Sequence, residues 1–168
     1  MPAGGSCIFA DADCFQANVP GMLYLLVVQP REFYAQLTWV ELPQLRLLGA
    51  REVSPRVAYV VLPSTRVFVT FPTQRDSTLI YDGAELRFGD IMFHSRGERL
   101  HQRTAAASRW GSISLTPASL MAFGRTITGQ SLVPPPASRI LHPPAADRRQ
   151  LLRMHGLACR PVASPRRS

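Results

Sequence analysis

A chain of 168 residues with 46% apolar side chains is long enough for one domain with a sizeable core and short for two. Its longest apolar run, Met22–Val28, falls far below the ~20 residues of a membrane-spanning helix, and no basic residue precedes an apolar stretch at the N-terminus. A membrane span and a secretory leader are therefore not expected, and the chain is assigned to the cytoplasm. The net charge of +8 comes entirely from arginine, spread from Arg31 to Arg167. That dispersion speaks against a dedicated phosphate-binding patch. Even the densest cluster, Arg148, Arg149 and Arg153 with Arg160, Arg166 and Arg167 beyond it, reads as a solvated helix face and a tail. Three cysteines, Cys7, Cys14 and Cys159, make an odd set without a C-x-x-C pair, so free thiols in a reducing compartment are expected.

Residues 1–21 mix Gly, Pro, Ala and Asp without periodicity and read as a flexible lead-in. From residue 22 to about 115 the chain reads as consecutive strands. Met22–Val28 is apolar throughout, like a strand buried on both faces. Glu32–Leu42, Leu45–Val53, Arg56–Leu62 and Arg66–Phe71 follow, parted by Pro43 and by Pro63-Ser64. Thr78–Tyr81 runs into Asp82-Gly83, the strongest hairpin signal in the chain. Glu85–Phe88, Ile91–His94 and, after a Ser95-Arg96-Gly97 break, Ser108–Leu115 complete the series. In Arg66–Phe71, the positions Val67, Val69 and Phe71 alternate with Arg66, Phe68 and Thr70, which suits a barrel wall with one face toward an interior. Short strands with turn signals every 8–12 residues, and no alternation with helices, predict a β-sandwich or closed barrel rather than a parallel sheet.

Helices come late. Thr116 is an N-cap ahead of Pro117; Leu120, Phe123 and Ile127 form an apolar stripe; Gly129 is a C-terminal stop. A proline-rich connector follows, and a second helix is predicted from about Ala145 to Cys159, before Pro161. Residues 161–168 read as a disordered basic tail. The organisation is thus a lead-in over 1–21, a domain over 22–160 and a tail over 161–168.

Residues Gly89 to His101 carry a turn, a short strand and a second turn at Gly97. This stretch resembles the second sequence motif of cupins, with Ser95 at the usual proline and His101 one residue late. A metal at His101 is not expected, because the upstream His-x-His partner is absent and a divalent ion needs three or four ligands. There is no Gly-x-Ser-x-Gly elbow, no paired carboxylates and no phosphate loop, so neither an enzyme nor a bound cofactor is expected.

Three strings carry a wider resemblance. They are Gly97-Glu-Arg-Leu-His101-Gln-Arg-Thr104; Arg109-Trp110-Gly111-Ser112-Ile113-Ser114-Leu115 with Leu120 and Gly124-Arg125 after it; and Arg139-Ile140-Leu141-x-Pro143-Pro144 leading to Arg149-x-Leu151-x-x-x-His155. They resemble bacterial AraC-family transcription regulators, and the resemblance is taken to cover about residues 31–160. The resemblance implies a cupin-like jelly-roll or barrel followed by two helices. Such a domain senses a small-molecule effector and dimerises. In the family a C-terminal part with two helix-turn-helix units reads DNA and needs about 100 further residues. Those units are not in this sequence, so the chain is expected to be a fragment or a truncated product. It would form a homodimer, or a heterodimer with a full-length relative, and would not itself bind DNA sequence-specifically.

In a closed barrel, Trp39, Tyr59, Phe93 and Trp110 are the candidates for apolar walls around an effector, and His94, His101 and Ser112 for polar anchors. Leu151, Met154, His155 and Ala158 on the last helix are the candidates for a subunit contact. Two other readings compete. A stand-alone cupin-type enzyme or small-molecule-binding protein predicts bound metal in the enzyme case, and a nucleic-acid binder using the arginine-rich end predicts steeply salt-dependent binding.

Overall fold

A computed structural model of the chain describes residues 3–28, 33–160 and 166–167. In chain order it contains β1 (Ala3–Phe9), α1 (Ala12–Asn18), β2 (Met22–Val27), β3 (Ala35–Glu41), β4 (Leu45–Glu52), β5 (Arg56–Val61), β6 (Val67–Pro72), β7 (Leu79–Tyr81), β8 (Ala84–Leu86), β9 (Ile91–Phe93), β10 (Arg99–Thr104), β11 (Ser108–Leu115), α2 (Pro117–Thr128), β12 (Arg139–Leu141), α3 (Ala145–Ala158) and β13 (Arg166–Arg167). The strands form two sheets, ordered β12-β9-β6-β11-β4-β3-β1-β13 and β2-β5-β10-β7-β8. Every ladder is antiparallel except the short β1–β13 pairing, in which Cys7 and Ile8 lie beside Arg166 and Arg167. The cupin-like, mainly β fold with two C-terminal helices expected from the sequence is the fold observed.

Register explains the interior. In β4, β11 and β6 the even-numbered positions face inward, and in β3 the odd-numbered ones do, because opposed residues share a face. Leu48 lies beside Trp39 and Ser112, and Ser112 beside Thr70. One layer further out, Arg46 lies beside Glu41 and Ser114, and Ser114 beside Phe68. One layer deeper, Ala50 pairs with Leu37 and Trp110. The second sheet closes over these layers with Ala58, Val60, Leu100 and Tyr81, all buried in the same core as Leu37 and Trp110.

Four sequence expectations need correction. The lead-in is structured: β1 pairs with all of β3, and Asp11 caps α1 by accepting from the Cys14 amide at 2.8 Å. Phe9 and Phe15 bury completely, edge to face at 5.6 Å between ring centres. Second, β2 is an edge strand with one wet face, not a doubly buried strand: Leu23, Tyr24 and Leu26 are each more than half exposed. Third, β10 and β12 are strands that the sequence reading left out. Fourth, the apolar stripe of α2 is only partly covered, with Leu120 and Phe123 half-buried and Ile127 78% exposed. The caps of α2 are as predicted, with Thr116 accepting from Ser119 and Gly129 left-handed at φ 73°. Of the tail expected over 161–168, only Arg166–Arg167 falls among the described residues, as β13.

α3 runs across the outer face of the larger sheet. His155 is its anchor. The ring is buried, bonds the Leu48 carbonyl at 2.9 Å and sits edge-on to Phe71. The approach requires glycine beneath it, since a Cβ on Gly111 would lie 2.7 Å from the His155 ring.

Candidate functional site

The inward layers do not meet. Between the two sheets they enclose a cavity of about 340 Å³, open at one end. Its buried walls include Leu37, Val60, Leu62, Phe68, Leu100 and Trp110, with Trp39 and Leu48 half-buried beside them. The exposed lining residues mark the mouth: Asn18 at the end of α1 and Pro20 before β2, Glu41 and Arg46 flanking the β3–β4 turn, and Pro63 after β5. Volume and a mostly apolar lining place this cavity in the usual range of small-molecule sites.

Of the seven residues expected to surround an effector, Trp39, His94, Trp110 and Ser112 line this cavity. Tyr59, Phe93 and His101 are not among its lining residues. Tyr59 and His101 oppose each other on β5 and β10 and stack at 5.1 Å on the outer face. His101 is solvated there, with its backbone N–H bonded to Asp82. Phe93 is half-buried on β9, opposite Val69 and Arg139. Among the subunit-contact candidates, His155 is turned onto the chain's own sheet, Met154 and Ala158 are exposed, and Leu151 is half-buried.

Sequence reasoning missed the polar half of the interior. Arg56 and Glu52, both fully buried, form an ion pair through Nε and Nη2 of the guanidinium. Glu52 also accepts from the Trp110 indole, and Arg56 Nη2 donates to Gln102 at 2.9 Å. Gln102 in turn donates to the Tyr81 hydroxyl at 2.8 Å. Burial pushes the Tyr81 phenol up to about 12, against the opposing pull of the neighbouring Thr70 hydroxyl, so it stays a neutral hydroxyl. The network is paired except at Arg56 Nη1, which has no hydrogen-bond partner, and removing either charge of the ion pair would cost several kcal/mol.

A second chain of bonds leads out of the cavity. Thr70 meets His94 Nε2 at 2.8 Å, and His94 Nδ1 meets Glu98 at 2.6 Å. In the neutral ring, Nδ1 donates to the carboxylate and Nε2 accepts from the hydroxyl. Burial alone would raise the Glu98 carboxyl, but hydrogen bonds from His94 and Ser138 outweigh it and hold the group below its ordinary value. Ser138, next to β12, also accepts from the Ser95 amide at 2.7 Å. The cavity is thereby bonded to the segment that enters α3.

At the mouth, Arg66 donates to the Ser114 hydroxyl at 3.1 Å and to its carbonyl at 2.7 Å. Arg46 pairs with Glu41 at 3.2 Å. Partial burial lowers the Arg66 pKa, and the nearby Arg46 charge lowers it further. A second, shallower depression lies outside the larger sheet, beneath α3, lined by Arg51, Arg109, His155 and Cys159 among others. Burial pushes the Cys159 thiol up to about 11, so it is not a ready nucleophile. Among the described residues, no group of three or more His, Cys, Asp or Glu is arranged to hold a metal ion, and no helix is long and apolar enough to cross a membrane.

No protein-family model matches the chain, and no curated protein matches it in sequence. Among solved structures, the crystal structure of the AraC-like transcriptional activator CuxR is similar over 94% of this chain and 69% of that one, with a TM-score of 0.58 and 14% identity. The structure of the Clostridium difficile EutQ protein aligns with 65% of this chain and 93% of that one, at a TM-score of 0.41 and 10% identity. The first likeness is one of fold: nearly the whole chain follows the path of the AraC-like activator.

Proposed function

We propose that this chain is the effector-sensing and dimerisation domain of an AraC-type transcription regulator, with the cavity between the two sheets as the effector site. The observation that carries the reading is the cavity itself: open at one end, mostly apolar, furnished with a few placed polar groups, in a fold shared with an AraC-like activator. DNA recognition would belong to helix-turn-helix units elsewhere in the regulator.

A ligand acts on such a domain only through its different affinity for two arrangements. Here Thr70 and His94 face the cavity, and His94 is bonded through Glu98 to Ser138, next to β12 and ahead of α3. An effector that engages or displaces the Thr70–His94 bond changes what Glu98 and Ser138 can hold. The placement of α3 responds. The outward stripe of that helix, Leu151, Met154 and Ala158, is the proposed subunit contact, either with a second copy or with a full-length relative. His155 stays on the sheet side and serves as the hinge pin instead.

The test is a thermal-shift screen of small metabolites against the chain and against two variants that fill the cavity, Ser112→Leu and Val60→Phe. A ligand should raise the Tm of the parent chain, and both variants should keep a native circular dichroism spectrum while losing the shift. A ligand-dependent shift that survives both fillings would place the effector elsewhere and remove the reading.

A further inference from the structure

Resting on that reading of the cavity, we infer that the effector is a small organic acid with an apolar body, held with its anionic group at the mouth against Arg66 and Arg46 and its body between Trp39 and Trp110. The distribution of charge leads to this. Deep in the barrel the two ionic side chains, Glu52 and Arg56, are already matched to each other. Gln102 is bonded to that pair and to Tyr81, and His94 to Thr70 and Glu98. Of these groups only Arg56 Nη1 has no partner, and Arg56 does not line the cavity, so the interior offers a ligand mainly apolar contact.

The mouth is different. It carries two guanidinium groups and the one carboxylate of Glu41. Arg66 is half-buried and fixed in direction, since Nε and Nη2 are both engaged by Ser114, while Nη1 takes no part in those bonds. A guanidinium held this way at the edge of an apolar chamber is preorganised for a carboxylate. Its lowered pKa agrees, because burial and the second arginine act on it with too little opposing charge. A cationic ligand would meet repulsion from both arginines. A polyhydroxylated ligand would find most interior donors and acceptors already paired.

The volume sets the size. A cavity of about 340 Å³ lies near the low end of the ~300–1,000 Å³ range of small-molecule sites, which suits a compact ligand. Octanoate fits that description, and 1-octanol is its uncharged counterpart. The chain has two tryptophans, Trp39 and Trp110, and both line the cavity, so intrinsic fluorescence reports directly on occupancy.

The experiment titrates octanoate and 1-octanol into the parent chain and into Arg66→Gln and Arg46→Gln, following tryptophan emission and Tm. Octanoate should bind at least about tenfold more tightly than 1-octanol. Arg66→Gln should bring the two within about threefold by weakening octanoate alone, and Arg46→Gln should act in the same direction. Equal binding of acid and alcohol by the parent chain, or an acid preference that survives both substitutions, would overturn the anionic-head assignment while leaving a functional cavity. If neither compound alters tryptophan emission or Tm, the cavity reading fails as well, and this assignment with it.

Discussion

Glu52 and Arg56 lie four residues apart, at the end of β4 in the larger sheet and the start of β5 in the smaller one, and both side chains meet in the core at full burial. Removing one partner strands the other. Glu52→Gln should cost about 3–5 kcal/mol of folding stability in urea denaturation, and replacing both residues by methionine should recover much of that loss. A loss under about 1 kcal/mol would show that water reaches the pair. Glu98 gives a pH signature at the same scale. Its folded-state carboxyl sits below the ordinary value of 4.5, so its contribution is present above about pH 4.5 and fades as pH falls through the lower folded value. Glu98→Gln should flatten the dependence of Tm on pH in that acid window. At residue scale the sequence was half legible. Trp39, Trp110, His94 and Ser112 were found because bulky or polar side chains in a barrel strand are candidates for a lining. Tyr59 and His101 failed because register, which sequence does not print, turns both outward. Gln102 and Thr104 hid for the converse reason: they are polar residues on the inward face.

Elements were legible where local chemistry decides them. The Thr116-Pro117 start and Gly129 stop of α2 are cap rules, and the structure follows them. β10 was missed because its alternation of Arg99, His101 and Arg103 with Leu100, Gln102 and Thr104 looks polar throughout. The residues of α1 looked featureless, although Asp11 is an N-cap and Phe15 lands in the core through contacts with Phe9 and Phe33 that only folding supplies. The docking of α3 carries its own prediction. Burial lowers the His155 pKa below 6.5, so its stabilising effect is full above about pH 6.5 and is lost as pH falls below it. Comparing Tm from pH 7.5 to 5 for the parent chain and His155→Gln should show the parent losing more. Gly111→Leu should release α3 outright, because the added side chain occupies the place of the ring. Hydrogen exchange in residues 145–158 would then speed up while the β4 and β11 amides stay protected.

At the scale of the whole molecule, two sheets around a hollow interior leave the helices as the parts free to report outward. The mainly β character and late helices could be read from turn spacing and apolar periodicity. The assignment of strands to two sheets could not, since it depends on which distant edges pair. If the outward stripe of α3 makes the subunit contact, Met154→Glu should shift the chain from dimer to monomer in sedimentation velocity while changing the folding free energy by no more than about 0.5 kcal/mol. An unchanged dimer would move the contact away from α3.

The central claim is that the effector sits between the sheets. The most direct measurement is the pair of indole N–H resonances of Trp39 and Trp110 in a 1H–15N spectrum, recorded as a Tm-raising ligand is added. Both signals should move and saturate with the same dissociation constant as the thermal shift. A stabilising ligand that leaves both indoles where they were would contradict the account.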